Sequence, residues 1–202
     1  MARRRVWIGV RRYCLTGWRC SIAVASSSVT TLATGYRTLT LAGTSAIAGT
    51  GNAAANTILG NEANNTITGK EGPDLLTGRG GTDTFVYTTL ANSLLGPTNA
   101  YTFDRIIDFT IGLDKIDGPN NVSASALKEL GTVATLDPIG IAAVLTSSSF
   151  VANGAASFSF GSGSSIRTFL GLNDGTAGYQ AITDTIVEIT GFSGLLTSLA
   201  VV

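Results

Sequence analysis

The stretch that decides the fold lies between Gly51 and Val86 and reads as nine-residue rows: GNAAANTIL (51–59), GNEANNTIT (60–68), GKEGPDLLT (69–77) and GRGGTDTFV (78–86). Every row begins with glycine, carries Asn or Asp at its sixth position and carries a large apolar residue at its eighth. The sixth positions are Asn56, Asn65, Asp74 and Asp83. The eighth positions are Ile58, Ile67, Leu76 and Phe85. A fixed period of this kind predicts a small unit that is repeated and stacked.

Each row divides into a turn and a short strand. The first six positions favour a turn, because glycine accepts positive φ and Asn or Asp tolerates the left-handed region. In the last three positions, the period of two sends the eighth residue inward and its neighbours outward. One row cannot bury its apolar residue alone, so successive rows must stack. We therefore predict a short parallel β-roll over residues 38–88, in which two rows make one coil.

The segment after the rows predicts a second β unit. Phe85 adds bulk at the end of the roll, and we expect it to cluster there with Phe103 and Phe109. Residues 89–202 are predicted to form an antiparallel β cap, with one short helix that starts at 123–130 (SASALKEL). The strand-like segments of this cap are 157–160, 168–172, 185–190 and 195–202. The predicted fold class is all-β.

Residues 1–37 form a basic segment that matches no row of the repeat. They contain seven Arg and no acidic residue, whereas the rest of the chain has six basic and 13 acidic residues. Three interpretations remain open for this segment: a nucleic-acid-binding patch, an export signal, or a leader outside the folded unit. We expect a disordered leader, because serines interrupt the only apolar stretch that follows its arginines.

The composition excludes several kinds of active site. The chain has no His, so catalytic sites that need His and histidine zinc motifs are impossible. Both Cys lie in the basic segment, and no apolar run approaches the roughly 20 residues of a membrane span. The acidic excess after residue 37 argues against nucleic acid as a partner. We expect a non-enzymatic protein whose oxygen ligands suit hard cations such as Ca2+.

The rows resemble the RTX calcium-binding nonapeptide G-G-x-G-x-D-x-U-x. The resemblance implies that Ca2+ lies between turns two rows apart, with the sixth-position side chains as ligands. The implied pairs are Asn56 with Asp74 and Asn65 with Asp83, each with one carboxylate and therefore weaker binding than the repeat usually gives. The alternative is that Asn56 and Asn65 hydrogen-bond along the coil without metal.

The C-terminal segments carry two more resemblances. Residues 101–117 (YTFDRIIDFTIGLDKID) look like the segment that caps the RTX roll in serralysin-type secreted proteases. This likeness implies that Asp104 and Asp108 are further metal ligands, although a solvated strand edge is an equal alternative. The tail after Arg167 resembles the bluetail domain of cyanobacterial surface proteins.

Together these features lead to two hypotheses for the function. The first is a non-enzymatic, calcium-binding module of a secreted or cell-surface protein, which folds when it meets Ca2+ outside the cell. The alternative is a metal-independent structural or adhesive β domain. Neither hypothesis identifies the upstream domains or surface partners.

Overall fold

The computed structural model describes residues 11–15, 19–25, 30–90, 102–119 and 127–202. Within those ranges it has one α-helix, α1 (Pro138–Ala142), and sixteen strands. The strands are β1 (Arg11–Leu15), β2 (Arg19–Ala25), β3 (Thr30–Thr31), β4 (Tyr36–Ala42), β5 (Ala48–Thr50), β6 (Thr57–Leu59), β7 (Thr66–Thr68), β8 (Leu75–Thr77), β9 (Thr84–Val86), β10 (Asp104–Ile106), β11 (Lys115–Asp117), β12 (Lys128–Val133), β13 (Ala155–Phe160), β14 (Arg167–Leu172), β15 (Thr185–Glu188) and β16 (Ala200–Val201). No helix among the described residues is long and apolar enough to cross a bilayer.

Two facing sheets form the roll, and the strands from β2 to β11 alternate between them along the chain. The larger sheet has ten strands in the order β1-β2-β4-β6-β8-β10-β15-β14-β13-β12. The smaller sheet has six strands in the order β16-β11-β9-β7-β5-β3. Strands β4, β6, β8 and β10 pair in parallel in the larger sheet, and β5, β7, β9 and β11 pair in parallel in the smaller one. The predicted all-β class, with a parallel roll and a β cap, is confirmed.

The eighth position of each row supplies the core between the two sheets. Ile58 pairs with Leu76 in the larger sheet and Ile67 pairs with Phe85 in the smaller one, and all four side chains are buried. Burial of an apolar side chain of this size contributes about 1.5–3 kcal/mol, so each added coil stabilises its neighbours.

The roll continues beyond the expected boundary at residue 88. Strand β10 adds to β8 and aligns Ile106 with Leu76, while β11 adds to β9 and aligns Ile116 with Phe85. Both isoleucines are fully buried. Residues 104–117 therefore supply two further rows of the roll, and the cap begins after them.

A buried ionic cluster lies where the cap joins the roll. Strand β15 pairs with β10 on one side and with β14 on the other, so the larger sheet runs without a break from roll to cap. Glu188 on β15 is fully buried and accepts from Arg167 on β14 and Arg105 on β10, the latter at 2.9 Å. Burial raises the pKa of Glu188, but the hydrogen bonds from Arg167 and Thr190 and the charges of the two arginines together outweigh it and hold the pKa below its ordinary value. Because removing one partner of a buried ion pair is costly, this cluster ties the two parts together.

The aromatic residues at the junction divide between two cores. Phe85 and Phe109 lie in the core of the roll, with ring centroids 5.9 Å apart. Phe103 instead packs in the cap core, 5.2 Å from Phe169 in an edge-to-face arrangement. The expected cluster of three phenylalanines is therefore wrong for Phe103. The reason is that β10 pairs with β15, which places the residue before β10 beside the cap.

The helix also differs from the expectation at 123–130. Residues 120–126 lie outside the described residues, and Lys128–Leu130 belong to strand β12, which pairs with β13. The α-helix starts instead after Asp137, whose carboxylate accepts from the Gly140 N–H at 2.7 Å, with proline at the first helical position. Sheet pairing overrode a weak helix propensity, and the helix formed at a stronger cap.

Part of the basic segment also differs from the expected disordered leader. Strands β1 and β2 lie within it, and β2 pairs in parallel with β4, the first long strand of the roll. An unpaired strand edge is a template for another strand, and residues 21–25 (SIAVA) include the strand-favouring Ile22 and Val24. Residues 1–10, 16–18 and 26–29 lie outside the described residues.

The larger sheet ends at β12, whose pairing with β13 is irregular. The register shifts between Glu129 and Thr132, which marks a β-bulge. Gly131 lies in the bulge with a φ of 75°. Lys128 and Glu129 are exposed on the same strand.

Replacement of Phe85 by alanine tests whether roll and cap are one folding unit. Phe85→Ala is expected to lower the free energy of unfolding by about 3–5 kcal/mol, because the buried ring leaves a cavity. Since the larger sheet is continuous, circular dichroism during urea unfolding should still show a single transition. Phe85→Leu, which introduces the residue found at the same position of the row before, Leu76, should lower the free energy of unfolding much less. Two separate transitions with only one of them shifted would contradict a single unit.

Candidate metal centre

Two columns of turns run along the roll, and the sixth residue of each row lies in one of them. The first column contains Asn56, Asp74 and Asp104, and the second column contains Asn65, Asp83 and Asp114. At each step, the backbone N–H of one residue donates to Oδ1 of the next residue in its column, over 2.6–2.9 Å. The structure thus brings together the expected pairs Asn56 with Asp74 and Asn65 with Asp83.

Asp104 and Asp114 are the sixth residues of two further rows. Each is followed two positions later by a buried isoleucine that aligns with the core, Ile106 or Ile116. The expectation for Asp104 rested on resemblance alone, and the sequence argument missed Asp114. The shared pattern Asp-x-Ile could have revealed both, but residues 87–98 interrupt the nine-residue register. Each column therefore ends in two neighbouring carboxylates.

The carboxylates of Asp74 and Asp83 are buried and incompletely satisfied. Their Oδ2 atoms are inaccessible to solvent and lack a hydrogen-bond donor. The first glycine of the same row makes room for this oxygen, since a Cβ on Gly69 or Gly78 would lie 2.2 Å from it. The two Arg ion pairs in the described part of the chain both go to Glu188, so neither aspartate has a basic partner.

The protonation equilibria reflect this missing positive charge. Burial raises the pKa of Asp74 to about 7 and that of Asp83 to about 6, against the lowering effect of the backbone N–H that each accepts. Burial, with the charge of Asp74 next, raises the pKa of Asp104 well above its ordinary value. Burial also raises the pKa of Asp114. Carboxylates withdrawn from water without a cation behave in this way.

The turns of the Asp rows, 69–74 and 78–83, are called here the Asp turns. Their second residues, Lys70 and Arg79, have φ of 74° and 69°. Their fourth residues, Gly72 and Gly81, have φ near 100°. Glycine adopts this conformation freely, but a lysine or arginine pays a backbone strain of about 1–3 kcal/mol.

The turns of the Asn rows, 51–56 and 60–65, are called here the Asn turns, and they close differently. Asn56 Oδ1 accepts from the Asn52 N–H at 2.7 Å, and its amide nitrogen donates to Asn52 Oδ1 at 3.1 Å. Asn65 and Asn61 repeat both bonds at 2.8 Å and 3.1 Å. Each side-chain oxygen and nitrogen of these four asparagines therefore has at least one hydrogen-bond partner. Asn52 and Asn61, the second residues of the Asn turns, do not have positive φ.

Asp108, the remaining candidate ligand, lies beside the second column. Its two carboxylate oxygens accept from the N–H groups of Gly78 and Arg79, at 3.0 Å and 2.7 Å. These donors begin the Asp turn that contains Asp83, and the charge of Asp108 is close enough to raise the pKa of Asp83 further. Asp108 therefore adds negative charge at the same end of the second column.

The donor set of both columns fits a hard cation. A buried carboxylate oxygen without a donor and a second carboxylate on the next turn are groups that Ca2+ accepts as ligands. No group of three or more His, Cys, Asp or Glu side chains is placed to hold a metal within the described ranges. An ion there would take at most two carboxylates, with carbonyl oxygens or water for the rest.

The comparison with known families covers this part of the molecule. Residues 42–150, more than half of the chain, match the family described as peptidase M10 serralysin C terminal. The matched residues include the four rows, both further rows and both columns. The family corresponds to the C-terminal repeat region of serralysin and not to its peptidase domain. No curated protein matches the chain. The chain therefore belongs to the serralysin C-terminal family, whose members are calcium-binding RTX-repeat regions.

Proposed function

We propose that the protein is a non-enzymatic module that binds Ca2+ in the Asp turns and works outside the cell, in a secreted or surface protein. One observation carries the proposal: the buried Oδ2 atoms of Asp74 and Asp83 have neither a hydrogen-bond donor nor a basic partner. Burying such a charge is costly unless a cation compensates it.

The ligands are the neighbouring carboxylates at the C-terminal end of each column. Asp74 with Asp104 would hold an ion in the first column, and Asp83 with Asp114 would hold one in the second. Asp108 would contribute to the second site through its charge. When bound, Ca2+ supplies positive charge that neutralises both carboxylates of a pair.

Calcium would act on folding in this module, because it binds the folded chain only. The ligands of each site come from rows about thirty residues apart in the sequence. The hydrogen bond from the Asp74 N–H to Asp104 and the one from the Asp83 N–H to Asp114 span this separation. Such a site does not exist in an unfolded chain, so the binding free energy adds to the stability of the fold.

The extracellular setting follows from the expected strength of these sites. A site with two carboxylates and few other charges belongs with extracellular modules, which bind at roughly 10⁻⁴–10⁻³ M. Calcium outside cells reaches that range, whereas calcium inside does not, so the C-terminal rows would order after export. The serralysin family, whose members are secreted, supports the same setting.

The metal-independent alternative has support in the Asn turns only. Those turns close without any charged group, whereas the Asp turns leave buried carboxylate oxygens without a partner. A purely structural or adhesive role would leave the Asp turns unexplained.

Calorimetric titration with Ca2+ tests the proposed sites. Asp74→Asn and Asp83→Asn are each expected to weaken binding by about tenfold or more, because a site loses one of its two charges. Asp117→Asn is the matched control, since it removes a carboxylate from β11 outside both columns. Unchanged affinity in both column variants, or no effect of excess Ca2+ on the melting temperature of the parent protein, would refute the proposal.

The stability of the metal-free protein should depend on pH in an unusual direction. The folded-state pKa values of Asp74 and Asp83, about 7 and about 6, lie above the ordinary value of 3.8. The folded state therefore binds these protons more tightly, and the stabilisation they give is complete below the ordinary pKa and lost as pH rises through the folded values.

Urea unfolding of the metal-free protein between pH 4 and pH 8 measures this dependence, as the free energy of unfolding at each pH. It should fall across the window set by those pKa values. The double variant Asp74→Asn/Asp83→Asn should show a shallower fall, because it lacks both carboxyl groups. If the free energy of unfolding falls equally with pH in the two proteins, the carboxylates of Asp74 and Asp83 are not the cause of the pH dependence.

A further inference from the structure

The Asn turns contain a closed set of hydrogen bonds where the Asp turns contain uncompensated charge. In each Asn turn, the residues at positions two and six exchange two hydrogen bonds, between Asn52 and Asn56 and between Asn61 and Asn65. The corresponding second residues of the Asp turns are Lys70 and Arg79, and no hydrogen bond joins their side chains to Asp74 or Asp83. The sixth-position side chains are therefore satisfied within the Asn turns, whereas Oδ2 of Asp74 and Asp83 has no donor within the Asp turns.

The amide groups of the Asn turns also link one coil to the coil before it. Asn52 Nδ2 donates to the carbonyl oxygens of Ala33 and Tyr36, at 3.0 Å and 2.9 Å. Asn61 Nδ2 donates to the Ser45 carbonyl at 2.9 Å, and Asn65 Nδ2 donates to the Ile47 carbonyl at 3.2 Å. A bridging cation between turns would attract the same carbonyl oxygens. The N–H groups of the amides thus meet the need that a cation meets elsewhere.

The backbone conformation also differs between the Asn turns and the Asp turns. The second residues of the Asp turns, Lys70 and Arg79, are strained at positive φ, whereas Asn52 and Asn61 are not. Positions four are Ala54 and Ala63 in the Asn turns. Charge and strain are therefore concentrated in the Asp turns.

From these contacts we infer that the amide pairs Asn52–Asn56 and Asn61–Asn65 replace calcium in the Asn turns, so that this half of the roll is folded without the ion. The inference builds on the proposed function, which places the ions in the Asp turns. Asn56 and Asn65 are then structural residues and not ligands. The calcium-free coils offer a preformed edge, through β6 and β7, on which β8 and β9 assemble when calcium arrives.

Hydrogen exchange of the full chain, with chelator and with excess Ca2+, separates this inference from the proposed function. The expected result is strong protection of β6 and β7 in both conditions, and protection of β8 to β11 that rises at least tenfold with Ca2+. If calcium raises protection equally in all these strands, the inference is overturned and the proposed function stands. If calcium changes the protection of no strand, the proposed function is overturned, and the inference that the amides replace the ion is overturned with it.

A substitution tests the role of the amides directly. Asn65→Asp removes the donors to Ile47 and Asn61 and places a buried carboxylate against those two oxygens. In chelator, the protection of β6 and β7 should fall about tenfold or more, and excess Ca2+ should restore it. Asn64→Asp is the matched control: it changes the same charge at an exposed position and keeps the oxygen that accepts from the Thr82 N–H.

Each outcome of the substitution decides the question. Protection that stays unchanged in Asn65→Asp, or that falls equally in Asn64→Asp, would show that the amide bonds do not replace an ion. A fall in Asn65→Asp alone, reversed by Ca2+, would support the inference, since the same turn would then have changed from amide closure to ion closure.

Discussion

The stacking of this molecule depends on a hydrogen bond between the side chain of one row and the backbone of the row two before it. Oδ1 of each sixth-position aspartate accepts the N–H of the preceding sixth residue in its column, as Asp74 does from Asn56 and Asp114 does from Asp83. This bond sets the vertical spacing of the turns and thereby the register of the strands. The eighth residues then meet in the core because they follow the sixth by a fixed two positions. A residue without a side-chain oxygen at this position would break the column and the strand ladder together.

The same bond explains why the chain needs different chemistry along its length. One oxygen of each sixth residue accepts a backbone N–H, from the row two before in the Asp rows and from position two of the same row in the Asn rows. The second atom of the group must find another partner. In an Asn row that atom is a donor, and carbonyl oxygens nearby satisfy it. In an Asp row it is an anionic oxygen among acceptors, which only a proton or a cation can satisfy. The choice between Asn and Asp at the sixth position therefore decides whether a coil satisfies its own polar groups or needs a proton or a cation to do so.

The sequence alone was sufficient for the parts of the fold that repeat. The glycine, Asn or Asp, and apolar positions of residues 51–86 predicted the turns, the strands and the inward residues, because each follows from a local period. Asp114 was missed since its row begins with Phe109 in place of glycine, and a loop separates it from the other rows. The side of β10 on which Phe103 packs, and the strand at Lys128, depended on pairing with distant segments, which no local pattern encodes. The amide pairs of the candidate site also needed the structure, because Asn at position two differs from the RTX repeat and its partner is visible only in three dimensions.

The irregular strand β12 at the edge of the larger sheet affects whether copies of the protein associate with one another. A continuous ten-stranded sheet would offer a long open border to which another chain could add by backbone hydrogen bonds. The bulge in β12 breaks the spacing of the free N–H and C=O groups, and the exposed Lys128 and Glu129 require water on both sides. This border is thereby unsuited to accept an extra strand. Copies of the molecule can therefore reach a high local concentration without polymerising through that edge.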